Sequence, residues 1–179
     1  MTKAERRRLR REGALAGFIA ALALTAVQGI VRLNIGASLL GELAPDRFLP
    51  FVPVSVFINI LNIFGGSNTA KTVAFFATFL GQFVVGAAIG VIYASIVGAQ
   101  VAKAPDNRLP LGLSTRAIGF VVVAVAVIWV VLLLVFNPVL VAGYSGERPE
   151  VAAMTTSEAL LAGFVAYGVV LVIAAGAPS

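Results

Sequence analysis

The 179-residue chain contains no cysteine and no histidine. Without cysteine there are no disulfides, thiolate nucleophiles, iron–sulfur ligands or zinc thiolate sites. Without histidine there is no axial ligand pair for a membrane b-type haem, no imidazole metal site and no histidine general base. Charge is also scarce. Only 12% of residues are charged against 60% hydrophobic, a composition outside the range of soluble globular domains and typical of an integral membrane protein. The net charge of +5 would suggest nucleic acid in a soluble protein. Here six of the 13 basic residues (Lys3, Arg6, Arg7, Arg8, Arg10 and Arg11) stand in the first eleven positions and the rest flank apolar runs. That pattern points to orientation in a membrane and to the lipid bilayer as partner, with no nucleic acid.

What is present is apolar length. The composition predicts an all-α integral membrane protein: a four-helix transmembrane bundle with one short interfacial helix, forming a single membrane domain over 1–179. Its parts are a basic cytoplasmic tail (1–12), spans at 13–33, 72–96, 117–136 and 158–176, and an interfacial helix at 54–64. A span needs about 20 apolar residues to cross about 30 Å of hydrocarbon. The first run has about 19 uncharged residues before Arg32, long for a signal peptide, so an uncleaved helix is favoured over a cleaved leader. The tail reads as a solvated or headgroup-bound arm in preference to a twin-arginine export signal. Residues 34–47 read as a loop or frayed helix end. After Pro53 about eleven residues remain before Gly65-Gly66, a reach of about 17 Å that is too short to span. Ser55, Asn59 and Asn62 on one face of that segment, and Val54, Phe57, Ile58 and Leu61 on the other, suit an interfacial amphipathic helix. A re-entrant element lining a pore with Asn59 and Asn62 is the weaker alternative. The valine-rich third run, ended or kinked at Asn137-Pro138, reads as the most lipid-exposed span. Trp129, inside it, reads as a packing residue. Gln100–Arg116 reads as a cytoplasmic loop and Gly143–Ser157 as an external one, with Thr156 or Ser157 capping the last span.

Two stripes carry the packing expectation. Thr78, Gln82, Gly86, Gly90, Ala94 and Gly98 recur every fourth residue in the second span, and Gly13, Gly17, Ala21, Thr25 and Gly29 do so in the first. Small or polar faces of this kind allow close helix approach and interhelical hydrogen bonds, the main attractions available in lipid. The two spans are expected to pack antiparallel, with Gly17, Ala21 and Thr25 facing Gly86, Gly90 and Ala94, and Gln28 and Gln82 hydrogen-bonding across the contact.

With the amino terminus in the cytoplasm and four spans, nine basic residues lie inside: six in the tail plus Lys103, Arg108 and Arg116. Four lie outside: Arg32, Arg47, Lys71 and Arg148. The excess follows the positive-inside rule. If the segment ending at Phe64 also spanned, the count would become eight against five, so the shortness of that segment weighs more in the choice.

The run ELAPDRFLPFVPVSVFINILNIFGG followed by TAKTVAFFATFLGQFVVGAAIGVIYA resembles the N-terminal membrane region of bacterial sulfite-oxidase-like molybdopterin-dependent oxidoreductases. The likeness rests on the proline-bounded short helix, the break at Phe64–Gly66 and the Gly81-Gln82 pair, and is best over 13–99. It implies a membrane anchor for a molybdopterin-binding redox domain, with the bacterial plasma membrane as location. The family's molybdenum-binding cysteine has no counterpart here, so no cofactor or catalytic residue carries over. The chain is therefore expected to be either the membrane part of a longer protein or a stand-alone relative. The functional expectation is a membrane anchor or structural subunit of a redox assembly, partnered by that domain or by other membrane subunits. The alternative is a small transporter or channel subunit, a class that normally carries mid-membrane charge or broken helices. An intramembrane enzyme lacks a base or nucleophile among these residues.

Overall fold

In the computed structural model, which describes residues 2–101, 115–140 and 148–176, every regular element is helical. The helices are α1 (Lys3–Ile35), α2 (Leu40–Phe48), α3 (Val54–Phe64), α4 (Ser67–Val101), α5 (Thr115–Leu140) and α6 (Pro149–Gly176), with a 3-10 turn at Leu49–Phe51. Among the described residues, α1, α4, α5 and α6 are long and apolar enough to cross a membrane. The loop readings at 102–114 and at 143–147 lie outside the described residues.

The basic tail is helical from Lys3. Thr2 and Glu5 close a reciprocal capping box: the Glu5 N–H donates to Thr2 Oγ1 and the Thr2 N–H to Glu5 Oε2. Good helix formers then carry the helix straight into the apolar run. α1 stops at Gly36, whose φ of 72° is left-handed and whose N–H reaches the Arg32 carbonyl.

Residues 40–48 are a separate helix where a loop or frayed helix end was expected. Its start is held by the Glu42 carboxylate, which accepts from the Leu39 N–H at 2.9 Å. Arg32 ties the corner by donating to Glu42 Oε1 at 3.1 Å and to the Gly36 carbonyl at 2.8 Å. Leu43 is fully buried against Phe136, Leu140 and Leu160, so tertiary burial offsets the bond lost at Pro45 inside the helix. Gly41 lets α2 settle onto α4, since a Cβ there would stand 3.1 Å from the Phe79 ring.

α3 has the bounds expected from its prolines and glycines. The Gly66 N–H bonds the Leu61 carbonyl in a Schellman-type close, with Gly65 and Gly66 both at positive φ. None of its residues is buried, and α4 is its neighbour.

α5 runs through Asn137-Pro138 to Leu140 without ending there. Proline near the last turn removes only one ladder bond, and Phe136 and Leu140 are buried around it. α6 begins nine residues earlier than the hydropathy boundary at 158, with Pro149 in its first turn and Ala152 N–H bonded to the Arg148 carbonyl. Thr156 and Ser157 are therefore interior helix residues and not caps. The buried Thr156 Oγ1 accepts from the Ser38 N–H at 3.4 Å, and the Ser157 carbonyl accepts from Trp129 Nε1 at 3.0 Å.

The core is built where α1, α4 and α6 meet, from Ala16, Ala20, Ala21, Leu24, Tyr93, Tyr167 and Leu171, with α5 closing one side through Ala117 and Val121. Much of α5 is exposed, including Val122, Val123, Val127 and Leu134. Contact registers fix the directions. Gly13 meets Gly90 and Ala94 while Gly17 meets Gly86, and Gln28 meets Gly163 while Ser38 meets Thr156. α1 is thus antiparallel to both α4 and α6. Gly168 against Val121, with Trp129 reaching back to Ser157, makes α5 antiparallel to α6. The start of α1, the end of α4, the start of α5 and the end of α6 gather at one end, and α2 and α3 sit at the other.

Candidate functional site

The α1–α4 seam is a contact of backbone on backbone. A Cβ on Gly17 would overlap the Gly86 carbonyl oxygen, and one on Gly90 would overlap the Gly13 carbonyl oxygen. One on Gly86 would stand 2.7 Å from the Ala21 Cβ. Only glycine at these positions allows such approach, which brings Cα hydrogens of one helix against carbonyls of the other. Ala94 completes the seam beside Gly13.

The polar end of the seam differs from the expected pairing of two glutamines. Gln82 Nε2 donates to Thr25 Oγ1 at 2.9 Å. The Thr25 hydroxyl proton is committed to the Ala21 carbonyl at 2.8 Å, so its oxygen must accept. Gln28 turns to α6, where its side chain lies 3.1 Å from the Cβ position of Gly163. At 3% exposure, neither of its amide atoms has a hydrogen-bond partner among the described residues, and the same holds for Gln82 Oε1. The physical reason is phase: Gln28 lies three positions past Thr25 and is turned about 60° from it around α1. Gly29 likewise falls off the seam, with nothing within 4 Å of its Cβ position.

The stripe pattern left out α6. The Tyr167 hydroxyl donates to the Gly86 carbonyl at 2.8 Å, so the central glycine of α4 serves α1 and α6 together. Gly163 admits Gln28 and Leu24, and Gly168 admits Val121, whose Cγ1 would be 2.7 Å from an added Cβ. The signal was available: Ala159, Gly163 and Tyr167 also stand four apart.

Between α4 and α5 the helices separate around a cavity of about 510 Å³. Ile89 of α4 and Ala124, Ile128 and Leu132 of α5 form its walls, with Leu24 and Tyr167 at its floor. Tyr93 and Phe120 approach at one end, ring centroids 6.3 Å apart. Phe48 of α2 and Phe136 approach at the other, 6.1 Å apart and edge to face. Of its few polar neighbours, Thr78 donates to the Ala74 carbonyl, Gln82 Nε2 to Thr25 and Tyr167 to the Gly86 carbonyl, while Gln82 Oε1 has no partner among the described residues. Water needs two to four polar partners to settle in such a space.

At the α2 end stands Arg47. Its Nε donates to the Val135 carbonyl at 2.6 Å, and its guanidinium lies 5.1 Å from the Phe51 ring centroid. The ion pairs among the described residues are Arg8–Glu12 and Arg32–Glu42, so Arg47 is positioned without a carboxylate.

Set against protein-family models, curated proteins and solved structures, the chain matches none of them.

Proposed function

We propose that this chain is a multi-pass membrane anchor in the bacterial plasma membrane, with its amino terminus cytoplasmic, serving as the structural subunit of a redox assembly. The observation that carries the reading is the α1–α4–α6 core: glycine-backed, closely packed and free of ionisable side chains other than the tyrosine hydroxyls. Such a core holds helices together and has nothing with which to move a proton or bind an ion by charge. The molybdopterin-dependent partner is supported by the resemblance over 13–99. The chain's own residues do not fit a molybdopterin centre, because no cysteine is available, so such a centre belongs to the partner. A transporter or channel subunit is the competing reading, favoured by the unpaired amide of Gln28 inside the core.

Purification from native membranes in mild detergent tests the assignment. A stoichiometric co-purifying polypeptide together with molybdenum by elemental analysis is the expected result. Purification of the chain alone, with reconstituted vesicles that pass small solutes, would replace the anchor reading by the transporter.

A further inference from the structure

The α4–α5 cavity has the dimensions of a chain-binding site. Along α5 its lining runs from Phe120 to Phe136, about 24 Å at about 1.5 Å per residue. A volume of about 510 Å³ spread over that length is slender, the shape of one extended hydrocarbon chain. Its walls are apolar, which disfavours water, and the cleft opens to the protein's outside, so within a membrane hydrocarbon is the occupant that physical chemistry selects. A charge stands beside one end, next to the lining residues Phe48 and Val135. Arg47 is fixed there by the Val135 carbonyl and the Phe51 ring, with no acidic partner among the described residues. Guanidinium presents a planar donor fork suited to phosphate oxygens. A second groove, between the outer faces of α5 and α6 and lined by Val122, Ala126 and Val165, has a similar volume of about 520 Å³. Neither groove is lined by a basic residue, but only the α4–α5 cleft has one bonded to its lining, Arg47 on the Val135 carbonyl.

We propose that the α4–α5 cleft holds one acyl chain of an anionic phospholipid, with the lipid phosphate paired to Arg47. The site rests on the reading of the chain as membrane-embedded. It makes a bound lipid part of the bundle, filling the gap that α4 and α5 leave between them and joining α2 to the core.

The test uses the full chain reconstituted in vesicles of equal phosphatidylglycerol and phosphatidylcholine, then extracted in mild detergent, with retained lipid counted by mass spectrometry. About one phospholipid per chain should remain, with phosphatidylglycerol favoured about five-fold, the factor expected of one cation at an anionic surface. Arg47→Gln should bring that ratio close to one. Ala124→Phe, which fills the cleft, should abolish retention, while Ala126→Phe in the other groove should not. Should Ala124→Phe fail to fold, as judged by circular dichroism, the headgroup ratio of Arg47→Gln decides by itself. Retention of no lipid by the unsubstituted chain, an unchanged ratio in Arg47→Gln, or full retention in a folded Ala124→Phe would overturn the proposal. Alkaline carbonate extraction of the same vesicles keeps the two readings apart. Loss of the protein to the supernatant refutes membrane embedding itself, whereas carbonate resistance without retained lipid refutes only the cleft.

Discussion

Replacing Gly90 with alanine adds one methyl group, and the seam has no room for it. The new Cβ would overlap the Gly13 carbonyl oxygen and stand 2.8 Å from Gly17 Cα. Both neighbours are backbone, so no side chain can rotate away and the helices must separate. Overpacking of this kind costs about 1–3 kcal/mol. A separation of about 0.5–1 Å also forfeits a quarter to a half of each dispersion contact along the seam, on the order of 1 kcal/mol more. The total of about 3 kcal/mol corresponds to a fall in Tm of roughly 6–12 °C for a chain of this size. The control lies on the same helix. Gly81 has nothing within 4 Å of its Cβ position, so Gly81→Ala should be neutral or should stabilise by about 0.5–1 kcal/mol through helix propensity. Thermal melts of the purified protein in one detergent, followed by circular dichroism, measure both. Equal melting of the two variants would refute the argument from backbone contact, because helix propensity and composition are identical in the two changes.

Gly29→Ala, also into open space, should behave like Gly81→Ala in the same melts, although sequence spacing assigns Gly29 to the stripe. Gln28→Met should raise Tm by a few degrees, because removing a buried unpaired amide recovers about 1–3 kcal/mol of desolvation; a fall would mean that the amide is engaged. Tyr167→Phe should cost about 0.6 kcal/mol, the average for hydrogen bonds between membrane helices, a melt shift far smaller than that of Gly90→Ala.

Element type was legible where periodicity or punctuation was strong. The prolines before Val54 and the glycines after Phe64 bound α3 to the residue, and four-residue spacing in two apolar runs singled out Gly17, Ala21, Gly86 and Gly90. Hydropathy marks where the hydrocarbon ends, but a helix need not stop there. The Thr2–Glu5 capping box extends α1 below its apolar run, and Pro149 starts α6 above its own. Both signals were local and present in the sequence. α2 was hidden because its helicity depends on burying Leu43 against residues about 90 to 120 positions away, which outweighs an interior proline. The Gln82–Thr25 bond required knowing that the Thr25 hydroxyl was already committed to its own helix. The α4–α5 cleft is a gap between helices, and no pattern along one chain segment encodes a gap.

The central claim is a four-span bundle with both ends on one side of the membrane, and the absence of native cysteine allows one measurement to test it. Single cysteines at Ala4, Ser114 and Ser145 are exposed in turn to a membrane-impermeant thiol reagent on intact cells, then again after permeabilisation. Ser145→Cys should be labelled in intact cells, and Ala4→Cys and Ser114→Cys only after permeabilisation. Labelling of Ala4→Cys or Ser114→Cys in intact cells, or protection of Ser145→Cys there, would contradict the topology and the orientation of every helix built on it.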